Sequence, residues 1–174
     1  MLNGLSSDHR DRISLLYALS LVGRCSEDQL LRYILDADIM DQFRYYLALG
    51  DLKEASLVKA VGSIEGNVLV ILPEGRRSLK MFAGDIWDSV KTKLDRKREQ
   101  WKQKIREELQ MPASWKEENG HYRVTLRALE ADEEILTIEM IVPDKGQALD
   151  FCSRWPAGAS EIYGVINHIL GSQK

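Results

Sequence analysis

The spacing of apolar positions changes several times along the chain, and each change predicts an element. Ile13, Leu16, Tyr17, Leu19 and Leu21 recur at helical intervals between a cap at Ser7 or Asp8 and a stop at Gly23. The run from Ile13 to Leu19 is too densely apolar for a surface helix, so it belongs to a core. Ser26 and Gln29 form a capping box ahead of Leu30-Leu31-Arg32-Tyr33-Ile34-Leu35, a helix that stops near Asp36. Asp38 then reads as the cap of a second short helix ending at Gly50-Asp51. Helical spacing puts Ile39, Phe43, Tyr46 and Leu47 on its inner side and Met40, Asp41, Arg44, Tyr45 and Ala48 toward solvent.

Next, two apolar runs, 57–61 and 68–72, flank a tip of Gly62-Ser63-Ile64-Glu65-Gly66-Asn67, which predicts a β-hairpin. Pro73 follows, at a first helical position where its missing N–H costs nothing. Helix, helix, hairpin wing, helix is the order of a winged helix-turn-helix, and the helix over 7–23 completes its three-helix core.

After Pro73 the helical signal weakens only at Gly84, which predicts helices over 74–83 and 85–109. The longer one carries a seam of Trp87, Val90, Leu94, Trp101 and Ile105, with Ile86 and Leu109 in line and Arg98 interrupting it. Lys91, Lys93, Arg96, Lys97, Lys102, Lys104 and Arg106 cover its other faces. So narrow a seam either joins domains or pairs with a second copy. Met111-Pro112 ends the helix, and the period then falls to two. A short strand over 113–116, the turn Asn119-Gly120, and strands with Tyr122, Val124, Leu126, Ala128 and then Leu136, Ile138, Met140, Val142 inward form an antiparallel sheet. Asp144 caps a helix with Ala148, Leu149, Cys152 and Trp155; Pro156 and Gly158 break it from a last helix with Ile162, Val165, Ile166, Ile169 and Leu170. The expected class is α+β: a winged helix-turn-helix over 1–83, a long basic connector helix over 84–110, and over 111–174 an antiparallel sheet covered by two helices.

Composition narrows the function more than the fold. The 174 residues carry a net charge of −3, yet residues 81–106 hold 8 bases against 4 acids, so any attraction for phosphate is local. No apolar run approaches a membrane span and no signal-peptide core opens the chain, so a cytoplasmic protein is expected. Cys25 and Cys152 are expected to be free thiols in a reducing compartment. His9, His121 and His168 are scattered, no phosphate loop appears, and the acid pairs Glu117-Glu118 and Glu133-Glu134 sit at loop tips. No catalytic residue, no metal site and no cofactor are expected, and the protein is not read as an enzyme.

The expected partner is double-stranded DNA. Met40, Arg44 and Tyr45 would face the major groove, Asn67 would lie on the wing, and Lys59, Arg76 and Arg77 would meet the backbone. Asp36, Asp38 and Asp41 outnumber Arg44 around that helix, which keeps open a winged helix used for protein contacts without DNA. A homodimer is expected through the seam, and the C-terminal domain would dimerise or take a ligand or protein partner that the residues do not name.

Leu15-Leu16-Tyr17, the hairpin, Pro73-Glu74-Gly75-Arg76, Val142-Pro143, Ala148, Cys152, Trp155 and Glu161-Ile162-Tyr163 recur in a known manner. Through them the chain resembles, over nearly its whole length, a family of small bacterial winged-helix proteins catalogued as a domain of unknown function. The resemblance implies a transcriptional regulator by fold. Pro73, where winged-helix proteins often cap with Thr, and the acidic second helix depart from the common pattern.

Overall fold

A computed structural model describes residues 7–63, 66–131 and 133–171. The chain is α+β and divides into two compact units, Met1–Ile105 and Arg106–Lys174. The tip residues Ile64 and Glu65, and residues 1–6, 132 and 172–174, lie outside the described residues.

In the first unit α1 (Ser7–Val22) buries Ile13, Leu15, Leu16, Ala18, Leu19 and Val22, and Gly23 leaves it at φ +79°. Helix α2 (Glu27–Asp36) starts with the expected capping box: Gln29 N–H donates to Ser26 Oγ, and Ser26 N–H donates to Gln29 Oε1. Helix α3 (Gln42–Glu54) differs from expectation in cap, length and face. Asp41 caps it, accepting from Arg44 N–H at 2.9 Å, while Asp38 sits before the helix at φ +52°. The helix continues through Gly50-Asp51 to Glu54.

These shifts invert the face. Tyr45, Ala48, Leu49 and Leu52 are buried at i, i+3, i+4 and i+7, and Phe43, Tyr46 and Leu47 point outward. Ile39 and Met40 precede the helix and so do not share its phase; Met40 is buried. Asp41→Ala should therefore cost about 1 kcal/mol in urea unfolding, with the loss of one cap hydrogen bond as its cause.

Strands β1 (Val58–Ser63) and β2 (Gly66–Ile71) pair antiparallel with Val58 opposite Ile71 and Val61 opposite Val68. Leu69 N–H also donates to Cys25 O at 2.7 Å, which ties the hairpin to the turn between α1 and α2. Helix α4 (Pro73–Phe82) opens on proline as expected and runs into a 3-10 turn over Ala83–Asp85.

Helix α5 (Asp88–Gln110) starts three residues later than the sequence suggests. Its seam is covered from within the first unit. Leu94, Trp101 and Ile105 are buried, Tyr33 Oη donates to Leu94 O at 2.8 Å, and Trp101 Nε1 donates to Asp36 Oδ2 at 2.8 Å. The rings of Tyr33 and Trp101 lie 6.0 Å apart. Val90 is half-buried, and Trp87, with Arg10 stacked 4.7 Å above its ring, stays exposed.

The second unit holds β3 (Ala113–Glu118), β4 (His121–Glu130) and β5 (Glu133–Val142) in the antiparallel order β3-β4-β5. Asn119 and Gly120 take φ +52° and +79°, the pair of positive values that a tight hairpin turn demands. Val124, Leu126, Ala128 and Val142 form the core with Ala148, Trp155 and Ala159 of α6 (Lys145–Gly171), whose start Asp144 caps.

One continuous helix replaces the two expected, with Pro156 inside it. Proline there removes the bond to the Cys152 carbonyl. On either side of it Trp155 and Ala159 are buried on the sheet, and Trp155 Nε1 donates to Arg127 O at 2.7 Å, so packing holds the helix through the gap.

Candidate functional site

Asp11 of α1 and Arg44 of α3 are joined side by side. Arg44 Nε donates to Oδ2 at 2.9 Å and Nη2 to Oδ1 at 2.6 Å, with Asp11 only 8% exposed. The fork geometry matches guanidinium to carboxylate, and the Asp11 hydrogen bonds hold the Arg44 proton more firmly than usual. Neighbouring cations are likewise matched: Arg12 with Asp51 at 3.3 Å, Lys53 with Glu27 at 2.6 Å, and Lys93 with Asp38 at 2.8 Å. Lys93 draws the Asp38 carboxyl below its ordinary range, and Lys97, with Trp101, does the same for Asp36. Cations around α3 are thus bound to the fold's own acids.

What α3 offers outward is apolar. Phe43 is 72% exposed, Leu47 55% and Tyr46 52%. Beside Leu47 opens a pocket of about 190 Å³ lined by Asp8, Asp11, Arg44, Leu47, Ala48 and Asp51. Arg44 answers Asp11 and Arg12 answers Asp51, so the excess negative charge at its mouth is that of Asp8. An apolar ridge next to an acidic hollow suits an apolar anchor with a lysine or arginine beside it.

The residues expected to meet DNA do not gather there. Tyr45 is fully buried, its Oη donating to Glu27 O at 2.7 Å, and burial pushes its phenol pKa well up. Met40 is buried too, so neither can reach a groove; the inverted phase of α3 is the cause. Arg44 is on the surface but committed to Asp11. Lys59 on β1, Asn67 on β2 and Arg76 and Arg77 on α4 are exposed, and Arg77 pairs with Glu74 at 2.9 Å. Lys59, Arg76 and Lys80 make no ion pair among the described residues. Arg76 and Lys80 rim a cleft of about 520 Å³ between α1, β2 and α4, floored by Leu69, Ile71 and Leu79.

The pattern that defines the DUF4364 family, a domain of unknown function, matches residues 11–170. The chain belongs to this family. No curated protein and no solved structure matches it. Membership in DUF4364 covers both units and assigns chemistry to neither.

Other groups with chemical potential are quiet. Cys25 is buried and its thiol is pushed up to about 12 by desolvation; Cys152, half-buried, is raised for the same reason. Among the described residues no cluster of three His, Cys, Asp or Glu side chains is arranged to hold a metal, and no helix is long and apolar enough to cross a membrane. Sequence reasoning missed Asp8, Asp11, Phe43, Tyr46 and Leu47. The signal was present for the last three: carrying the helical period forward to Leu52 turns them outward.

Proposed function

We propose that the first unit is a winged helix that recognises another protein through the exposed face of α3. The observation that carries this reading is the combination of Phe43, Tyr46 and Leu47 in solvent with Arg44 clasped by Asp11. Phosphate recognition needs unpaired cations, and freeing Arg44 would leave the mostly buried Asp11 carboxylate without its partner. Apolar and aromatic residues spaced i, i+3, i+4 on a helix are the anchors of helix-in-groove contacts. The partner surface is an apolar socket bordered by a lysine or arginine that meets Asp8 at the hollow beside Leu47. In this reading the protein is a cytoplasmic regulator, its thiols reduced, acting by binding rather than catalysis.

A peptide library displayed on phage and selected on the full chain tests it. Selected peptides should pair an apolar residue with Lys or Arg. Phe43→Ala and Leu47→Ala should each weaken them about tenfold or more, as truncation of a hot-spot residue does. Selected peptides indifferent to both substitutions would overturn the reading.

A second reading, DNA binding from the hairpin side, is favoured by the unpaired Lys59, Arg76 and Lys80 with Asn67 nearby in sequence on the wing. Fluorescence anisotropy on selected genomic fragments over a salt series separates the two. DNA binding would fall steeply with salt and with Lys59→Ala or Arg76→Ala, and would not respond to Leu47→Ala.

A further inference from the structure

The cleft between α1, β2 and α4 encloses about 520 Å³, within the roughly 300–1,000 Å³ of pockets that take a small molecule. Leu69 and Ile71, alternate residues of β2, line it together with Leu19 of α1 and Leu79 of α4. Arg76, Leu79 and Lys80 stand at i, i+3 and i+4 of α4, so one helix face sets two cations beside an apolar side chain. Arg24 adds a third cation, and no carboxylate lines the cleft. Around α3 the cations are answered by acids of the fold, whereas Arg76 and Lys80 make no ion pair among the described residues. The two hydroxyls at the cleft are already engaged. Tyr17 Oη donates to Asp95 Oδ1 at 3.0 Å, and Ser20 Oγ donates to Tyr17 O at 2.7 Å.

The frame of the cleft is fixed next to Arg76. Gly75 seats α4 so closely on the hairpin base that an added Cβ would lie 2.2 Å from Leu57 O. A cation held in place needs less ordering when a ligand arrives. The guanidinium can clasp an anionic head through parallel N–H bonds, and Lys80 adds a point charge one turn away. An apolar floor beneath unanswered cations is complementary to a molecule with a negative head and an apolar body. We propose that this cleft binds a small organic anion, its head at Arg76 and Lys80 and its body against Leu69, Ile71 and Leu79. A DNA backbone would bring phosphate and sugar but no apolar body for that floor, and Lys59 and Asn67 of the hairpin do not line the cleft. The proposal uses no residue of α3 and stands apart from the reading of that helix.

The probe is 1-anilinonaphthalene-8-sulfonate, an apolar ring system with one sulfonate, titrated into the full chain while methyl NMR follows Leu69, Ile71 and Leu79. The three residues should shift together and saturate. N-phenyl-1-naphthylamine, the same rings without the sulfonate, should bind at least about tenfold more weakly, and inorganic sulfate should leave the three methyl groups unmoved. Arg76→Gln and Lys80→Gln should each weaken the sulfonate about tenfold, as loss of a charged hydrogen bond does, and leave binding of the uncharged amine unchanged. Both side chains are exposed, so neither substitution disturbs the core. Lys59→Gln should change nothing. Methyl groups of the cleft that do not respond, an uncharged amine that binds as tightly as the sulfonate, or a sulfonate indifferent to both glutamines would overturn the proposal. So would sulfate alone displacing the probe at equal concentration, which would leave a site for charge without a body.

Discussion

Replacing Gly75 with alanine is expected to destabilise the first unit by about 3 kcal/mol, at the upper end of what overpacking costs. A Cβ at this position of α4 would lie 2.2 Å from Leu57 O and 2.8 Å from Ile71 Cγ2. Neither neighbour gives way cheaply. Leu57 O already accepts from Leu72 N–H at 2.9 Å, so moving it breaks the closure of the hairpin, and Ile71 is held by its pairing with Val58. Gly84→Ala is the control, because nothing lies within 4 Å of its added methyl. Urea unfolding should separate the two by most of that figure. Equal, small effects would mean that α4 does not seat against the hairpin base.

Trp101→Ala is expected to cost about 3–5 kcal/mol, and the loss should not depend on protein concentration. The indole is 5% exposed, packs beside Tyr33 and donates to Asp36, all within the first unit. Had the α5 seam been a dimer contact, dilution would unmask the same loss in the unsubstituted chain. Trp87→Ala, on a side chain 60% exposed, should cost little.

The substitution also reports on pH. Asp36 is held below its ordinary carboxyl range by Lys97 and by Trp101. A depressed folded pKa stabilises above the unfolded pKa, and that contribution disappears as pH falls through the folded pKa. Trp101→Ala should therefore make the acid side of the stability profile shallower.

The elements with local chemistry were legible in the sequence. Ser26 with Gln29 and Asp144 fix helix starts by hydrogen bonds within three residues, Pro73 by its locked φ and Asn119-Gly120 by positive φ, and each stands where expected. The errors arose where tertiary packing overrides local signals. Asp38 and Asp41 are both plausible caps; choosing the first shifts the helical phase and turns Tyr45 outward and Leu47 inward. Pro156 and Gly158 look like a break, but burial of Trp155 and Ala159 carries α6 across them. The α5 seam was visible, whereas its cover, Tyr33 and Asp36 from 61 and 65 residues away, was not. The Asp11–Arg44 pair spans 33 residues and leaves no periodic trace. It is also the contact that moves the functional reading from DNA toward protein.

The most direct test is a benzophenone side chain placed at Phe43 and irradiated in cells that express the protein naturally. The exposed face of α3 should give adducts that protease removes and nuclease leaves intact, exceeding those from the same group at Lys59. Adducts removed by nuclease, or a yield at position 43 no greater than at position 59, would contradict a protein-binding α3.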